Sequence, residues 1–312
     1  MSEEGRCPTG ETIVVAVVSY NSAAVLPELI ASLGPGLAGS AWQLVVADND
    51  STDSSVRVVS DLVPDATIVR MGRNAGYAAG LNAAVTAAPP HTAVLVLNPD
   101  VRLDEGCVSE LLKVLRQPGV GIVVPRLRDR HGDRIDSMRR TPTLLRAWAD
   151  ALLGARRAGR FPRLGEVVMD PTSYDEEVET DWAEGSVQLV SAACWQACGG
   201  WDERYFLYSE ETDFDLRARD AGFSARFVPR ASATHLEGES GVSPRLWPLL
   251  VVNRVRFFRQ RHGRLSTMAY WGAILVREAS RAALGRPPAK AAVRALIDPQ
   301  RLRTPSGPEW IR

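Results

Sequence analysis

Four acids fall within six positions of this chain, Glu210, Glu211, Asp213 and Asp215, directly after the bulky run Tyr205-Phe206-Leu207. Another acid, Asp100, closes Asn98-Pro99-Asp100 behind an apolar run, and His235 closes a second one. Carboxylates bind hard cations and accept protons, and imidazole is a common metal ligand. Such groups at the ends of apolar strands describe a metal-and-base site at the carboxyl edge of a sheet. Plainer readings stand beside this one. A helix start also collects acids, because the N-terminal end of its dipole favours negative charge. A lone histidine is most often structural.

The elements that must position these groups alternate between strand and helix. Residues 13–18 are a continuous apolar run, expected as a central strand buried on both faces. Asn21 or Ser22 can cap the next helix, where Leu26, Leu29, Ile30 and Leu33 recur at helical spacing. Residues 43–47 predict a second strand, ending in the polar cluster 48–53. That cluster is either an Asx turn with a helix cap or, through Asp48, a ligand contact. Residues 66–70 and 93–97 predict a third and a fourth strand. Small residues at 75, 76, 78, 79 and 80 permit close backbone approach, to a ligand or to a neighbouring element. Neither a dinucleotide fingerprint nor a P-loop is present. The pattern predicts an α/β fold with a doubly wound, mostly parallel sheet.

Several motifs occur in a fixed order. They are Ser19-Tyr20-Asn21, Asp48-Asn49-x-Ser51-x-Asp53, Arg73-Asn74-x-Gly76-x-x-x-Gly80-x-Asn82 and Leu97-Asn98-Pro99-Asp100. Downstream, Gly200-Trp201-Asp202-Glu203 leads through Tyr205, Phe206 and Tyr208 into the acid cluster. Together they resemble the family 2 glycosyltransferases of the GT-A fold, within them the bacterial rhamnosyltransferase-like branch, over residues 12–262.

The resemblance implies a Rossmann-like GT-A sheet. Residues 12–125 would form the nucleotide-sugar-binding half and 126–262 the acceptor and catalytic half, with 263–312 a helical basic tail. The implied reaction is inverting transfer of a sugar from a nucleoside-diphosphate donor to a hydroxyl of a glycan, lipid-linked or natural-product acceptor. Tyr20, Asn21 and Asp48, with Ser19 at the strand end, would hold the base and ribose. Arg73, Asn74 and Asn82, with Gly76 in the same motif, would line the diphosphate or the sugar. A divalent cation, Mg2+ or Mn2+, would sit on Asp100 and His235, beside Asn98. Glu211 would be the general base, with Asp213 the next candidate. The chain departs from the family pattern twice. Asn98 stands where an acid usually begins the metal motif, which leaves Asp100 the only charged ligand there. Glu211 stands where the base is usually an aspartate. The branch points to a deoxyhexose donor such as dTDP-rhamnose, dTDP- or UDP-linked. A nucleotide-diphosphate-binding scaffold without catalysis is the alternative, and the joint presence of Asp100, Glu211 and His235 argues against it.

The middle of the chain adds a helix over 103–115, a strand over 121–124 and a helix starting at Thr141-Pro142. That last helix is expected either to pack on the core as a surface helix or to face donor or acceptor. The acidic stretch 166–184 is expected as a mobile loop without a catalytic role. Strands over 187–190, 223–228 and 231–235 follow, the last leading to Gly238, Ser240 and Gly241. Helices are expected over 247–261 and 268–284, and a frayed end over 303–312.

With 312 residues and 45% hydrophobic content, the chain can fill one large domain with an appendage. The formal net charge of zero excludes an overall basic nucleic-acid binder. It hides an asymmetry, with thirteen bases against two acids in residues 245–303. Arg-rich helices of this kind either stay solvated or lie on an anionic membrane surface. Cys7, Cys107, Cys194 and Cys198 lack zinc-type spacing. The N-terminus lacks the apolar core of a signal peptide. A cytoplasmic protein is expected, with peripheral contact on the inner membrane face as one reading and a homo-oligomer left open.

Overall fold

The computed structural model describes residues 11–236 and 245–310. Cys7, Gly238, Ser240 and Gly241 lie outside them. In chain order the strands are β1 (Thr12–Ser19), β2 (Ala41–Asp48), β3 (Thr67–Arg70), β4 (Ala93–Leu97), β5 (Val101–Leu103), β6 (Val120–Arg128), β7 (Met138–Arg139), β8 (Val178–Thr180), β9 (Trp182–Ala183), β10 (Val187–Ser191) and β11 (Ser224–His235). The helices are α1 (Leu26–Gly36), α2 (Ser55–Leu62), α3 (Tyr77–Thr86), α4 (Cys107–Leu115), α5 (Leu144–Leu153), α6 (Ala155–Ala158), α7 (Ala192–Cys198), α8 (Glu210–Asp220), α9 (Trp247–Arg261), α10 (Arg264–Ala283), α11 (Pro287–Leu296) and α12 (Pro299–Arg303).

The main sheet has the order β3-β2-β1-β4-β10-β6-β11-β5, with β8 also paired to β11. β1, β2, β3, β4, β6 and β11 run one way, while β10, β5 and β8 run the other. β1 and β4 are buried along almost their whole length, which is why both read as unbroken apolar runs. The chain leaves β1 for β2 on one side and returns to β4 on the other. This reversal opens a crevice at the carboxyl ends of β1 and β4.

One core layer packs α1, α2 and α4 on the sheet through Leu29, Leu33, Val59 and Leu111. The other packs α3, α7 and α8 through Ala78, Leu81, Cys194 and Phe214. A third cluster joins α5, α9, α10 and α11 through Ala147, Val251, Tyr270 and Ala292. Residues 263–303 are therefore packed helices that share a core with α9 and α5, not a trailing tail.

Several local expectations are corrected. α1 has no side-chain cap; the Val25 and Leu26 N–H groups donate to the Ser22 carbonyl, and Asn21 turns away to Thr52. α4 begins at Cys107, because Val101–Leu103 pairs with the end of β11 as β5. α5 is capped by Thr143, whose hydroxyl accepts from Arg146 N–H, while the Thr141 hydroxyl is used on Asp181. The strands expected over 223–228 and 231–235 are one strand, with a register shift between Val228 and Ser232.

The acidic stretch 166–184 holds a 3-10 turn, β8 and β9, and Glu166, Asp181 and Glu184 among its acids are anchored. Glu166 pairs with Arg254, and Asp181 accepts from Thr141. Residues 303–310 are not frayed either: Ser306 is buried against Asn253 and Arg256, and Arg301 stacks on Trp310. The polar faces of the C-terminal helices also differ from expectation. Arg277 is buried, 3.0 Å from Asp150 and 3.2 Å from Glu278, and Arg281 pairs with Glu278 at 3.5 Å. Among the described residues no helix is long and apolar enough to cross a membrane.

Candidate active site

The parallel register sets Ser19 beside Asp48 at the ends of β1 and β2. Both are buried, and Ser19 Oγ and Asp48 Oδ1 lack a hydrogen-bond partner among the protein groups. The other Asp48 oxygen accepts from Ser51 N–H at 3.1 Å, so the expected Asx turn forms and still leaves one oxygen for a ligand. Buried polar atoms are normally paired. Two unpaired atoms side by side at the carboxyl edge of the sheet leave hydrogen-bonding capacity that water or a polar ligand can take up. Next to them lies a cavity of about 550 Å³ lined by Tyr20, Asp50, Thr52, Arg73 and Asn74, and closed from the C-terminus by Ser306 and Gly307.

Three residues of the same motifs face elsewhere. Asn21 has a φ of 51° and accepts from Thr52 N–H at 2.8 Å, so it shapes the loop after β2. Gly76 has a φ of 93°, and a Cβ there would lie 2.4 Å from the Phe206 carbonyl oxygen. Its close backbone approach is therefore to a neighbouring segment, sealed by the Tyr77 N–H bond to Phe206 O at 2.7 Å. Asn82 does not line the cavity: its amide accepts from Trp201 N–H and donates to Trp201 O, both at 2.8 Å, and donates to Glu203 at 3.0 Å. Gly200 is required beside it, since a Cβ would come within 2.4 Å of Asn82 Oδ1.

Asn98 fixes the exit of β4 through its backbone, with its N–H on Ser186 O and its carbonyl accepting from Val101 N–H. The β5–β11 pairing then brings His235 opposite Val101. His235 Nε2 lies 3.3 Å from Asp100 Oδ1, and Nδ1 lies 2.9 Å from Glu184 Oε1. The imidazole is buried, yet neither ring nitrogen has a well-aligned hydrogen bond. Burial pulls its pKa down, but the flanking Asp100 and Glu184 outweigh that and raise it to about 10. Burial likewise works against an ionised Glu184, yet contact with His235 holds its carboxyl below the usual range.

No three His, Cys, Asp or Glu side chains converge into a protein-only metal cage among the described residues. Asp100 and His235 nevertheless suit Mg2+ or Mn2+, which often rest on one or two protein ligands and take the remaining oxygens from substrate phosphates and water. A carboxylate on the far nitrogen of a ligating histidine is the usual second support for such a site. Glu184 occupies that place. It was missed in the sequence because nothing sets it apart from the other acids of 175–184; its one distinguishing mark is that it lies just ahead of β10.

Glu211 is the second residue of α8, whose start is unusual. Tyr208 and Ser209 both have positive φ, 70° and 75°. Asn253 of α9 clamps this turn, donating to Leu207 O at 2.9 Å and Tyr208 O at 3.1 Å. The turn directs Glu211 into a cavity of about 310 Å³ that Glu184, Arg139, Trp182, Trp247 and Tyr270 also line. Burial pushes the Glu211 carboxyl up to about 7, with Glu184 adding to the effect and Arg139 opposing it. Asp213 points to another face, where it accepts from Arg217 at 2.7 Å. Asp215 accepts from Ala183 N–H and Gln188, tying α8 to β9. The cluster thus divides: Glu211 faces the cavity, while Asp213 and Asp215 hold the helix.

The model of the glycosyl transferase family 2 matches residues 14–169, and that of glycosyl transferase family group 2 matches 93–262. The chain is 30% identical over 249 residues to an N-acetylglucosaminyl-diphospho-decaprenol L-rhamnosyltransferase of Mycobacterium tuberculosis, covering 74% of this chain and 78% of that one. The chain belongs to glycosyl transferase family 2. A rhamnosyltransferase of Escherichia coli is 28% identical over 144 residues, covering 46% of this chain and 51% of its own. A mannosyltransferase of Pyrobaculum calidifontis, solved with GDP-Man and Mn2+, superimposes with a TM-score of 0.57 at 18% identity, over 94% of this chain and 83% of that one. The α/β architecture of this family 2 glycosyltransferase is accordingly GT-A.

Proposed function

We propose that this glycosyltransferase moves a deoxyhexose, rhamnose in the first instance, from a dTDP- or UDP-linked donor to an acceptor hydroxyl, with inversion and with a divalent cation. The observation that carries the reading is Glu184. It lines the cavity that holds Glu211 and also lies 2.9 Å from His235, so base and metal pair are neighbours. The nucleotide would occupy the crevice of Ser19, Tyr20, Asp48, Arg73 and Asn74, completing the bonding of Ser19 and Asp48. Asp100 and His235 would hold Mg2+ or Mn2+, which neutralises a departing diphosphate. Glu211, at a pKa near 7, suits proton removal from an acceptor hydroxyl at neutral pH. Trp182, Trp247 and Tyr270 give the acceptor cavity aromatic walls, and Glu211 and Glu184 share it with the charged groups Arg139, Asp150, Glu166, Arg254 and Arg277. The donor sugar rests on the rhamnosyltransferase relatives alone.

Thermal unfolding with dTDP- and UDP-sugars, in Mn2+, Mg2+ or EDTA, tests this reading, coupled to a measurement of released nucleoside diphosphate. Stabilisation that requires both nucleotide and metal is expected, and Asp100→Ala should abolish its metal dependence. Absence of metal-linked stabilisation, together with absence of released diphosphate, would sink it.

A further inference from the structure

The outer faces of α5 and α10 carry apolar side chains that nothing in the described chain covers. On α5, Leu145, Trp148 and Leu152 share one face by their spacing, and all are exposed, Leu152 by 72%. On α10, Leu265, Met268 and Val276 are exposed, Leu265 by 84%. The stripes adjoin, since a Cβ at Gly272 would lie 3.9 Å from Cζ2 of Trp148. Single exposed leucines are ordinary, but a continuous apolar surface across two packed helices marks an interaction site.

The charge beside it selects the partner. Just beyond α5, Arg156, Arg157, Arg160 and Arg163 are exposed, interleaved with Leu153 and Phe161. Asp150 is the sole acid in residues 144–165, and it is already paired with Arg277. A surface with an apolar centre, a cationic border and, across residues 144–165, no unpaired acid complements anionic lipid. Its apolar groups can enter the acyl boundary while guanidinium groups meet headgroup phosphates.

We propose that α5, the arginine-rich turn after it and the outer stripe of α10 dock on an anionic phospholipid bilayer. The inner sides of these elements wall the cavity of Glu211, through Asp150, Ala155, Ala158, Tyr270 and Arg277. The docked surface and the acceptor cavity are thus two sides of one wall. An acceptor hydroxyl carried on a lipid could enter from the bilayer, an extension that rests on the glycosyl-transfer reading. The surface differs from the one suggested by composition, because Arg277 and Arg281 of α10 are engaged with Asp150 and Glu278.

The whole chain should sediment with phosphatidylcholine vesicles containing phosphatidylglycerol, much less with phosphatidylcholine alone, and should be released as salt rises. Leu152→Glu with Leu153→Glu, and separately Arg156→Glu with Arg157→Glu, should each reduce capture by roughly an order of magnitude or more. Lys290→Glu, on α11 outside the patch, should leave capture intact. Failure of the wild type to bind, or capture that survives both double variants, overturns the proposal. So does a dimer in light scattering that the double variants dissolve, which would assign the patch to a second copy. Metal-linked nucleotide binding is measured on the same samples. It should persist in both double variants, and its absence from the wild type would remove the glycosyl-transfer reading without touching vesicle capture.

Discussion

Glu184 Oε1 lies 2.9 Å from Nδ1 of His235, and the same side chain lines the cavity into which Glu211 points. One carboxylate therefore borders both halves of the site. With its pKa raised to about 10, the imidazole carries a proton on both nitrogens. A cation would displace the one on Nε2, leaving the Nδ1 proton toward Glu184 and Nε2 beside Asp100, the arrangement in which imidazole and carboxylate can share a cation. Glu184→Gln keeps the volume and removes the charge. Metal affinity in the presence of nucleoside diphosphate should fall about 10–100-fold, the usual effect of losing such a support. Calorimetric titration of Mn2+ into the nucleotide-bound protein measures it; an unchanged affinity would mean that Glu184 does not orient His235.

The turn ahead of Glu211 gives a second prediction. Tyr208 and Ser209 occupy a backbone region that side chains rarely adopt, and Asn253 accounts for the carbonyls of Leu207 and Tyr208. Asn253 is fully buried, and its own oxygen accepts from Arg256 and Ser306. Asn253→Ala leaves these partners unsatisfied, at a cost of about 1–3 kcal/mol. The urea midpoint should drop accordingly. Turnover should fall further than nucleotide affinity does, because the misplaced group is Glu211 and not the β1–β2 crevice. Equal losses in both would show that the clamp serves the fold as a whole.

The central strands were legible because burial on both faces leaves nothing but apolar residues in β1 and β4. The strand-end motifs were legible for a related reason, since polar residues that close such runs stand out. Which of them touch a ligand was not legible. Asn82 and Gly76 belong to the same motif as Arg73 and Asn74, yet they bind Trp201 and Phe206, partners that lie far off in the chain. Asn253-Arg254 stands out in the sequence as resembling the family's closing segment, but its clamp on the turn before α8 was not legible, and Glu184 was hidden altogether, because both depend on partners distant in the chain. The ion pairs of Arg254 and Arg277 were invisible to composition, which counts charges without showing which face buries them.

The final prediction concerns proton transfer. Burial raises Glu211 to about 7, and a general base works only when ionised. Its proton must be lost before it can accept another, so kcat/KM should rise with pH through about 7 and level off above it. Glu184 is one of the groups that raise this value, so Glu184→Gln should move the rising limb to lower pH. Glu211→Gln cannot accept a proton, and turnover should fall about 10²–10⁴-fold with the pH dependence removed. Nucleotide and metal binding should survive, since a group acting on the acceptor proton contributes mainly in the transition state. Asp213→Asn is the discriminating control. Its carboxylate is committed to Arg217 on another face, so this variant should lose stability and keep the rising limb. A flat profile in Asp213→Asn, with Glu211→Gln still active, would transfer the role of base to Asp213.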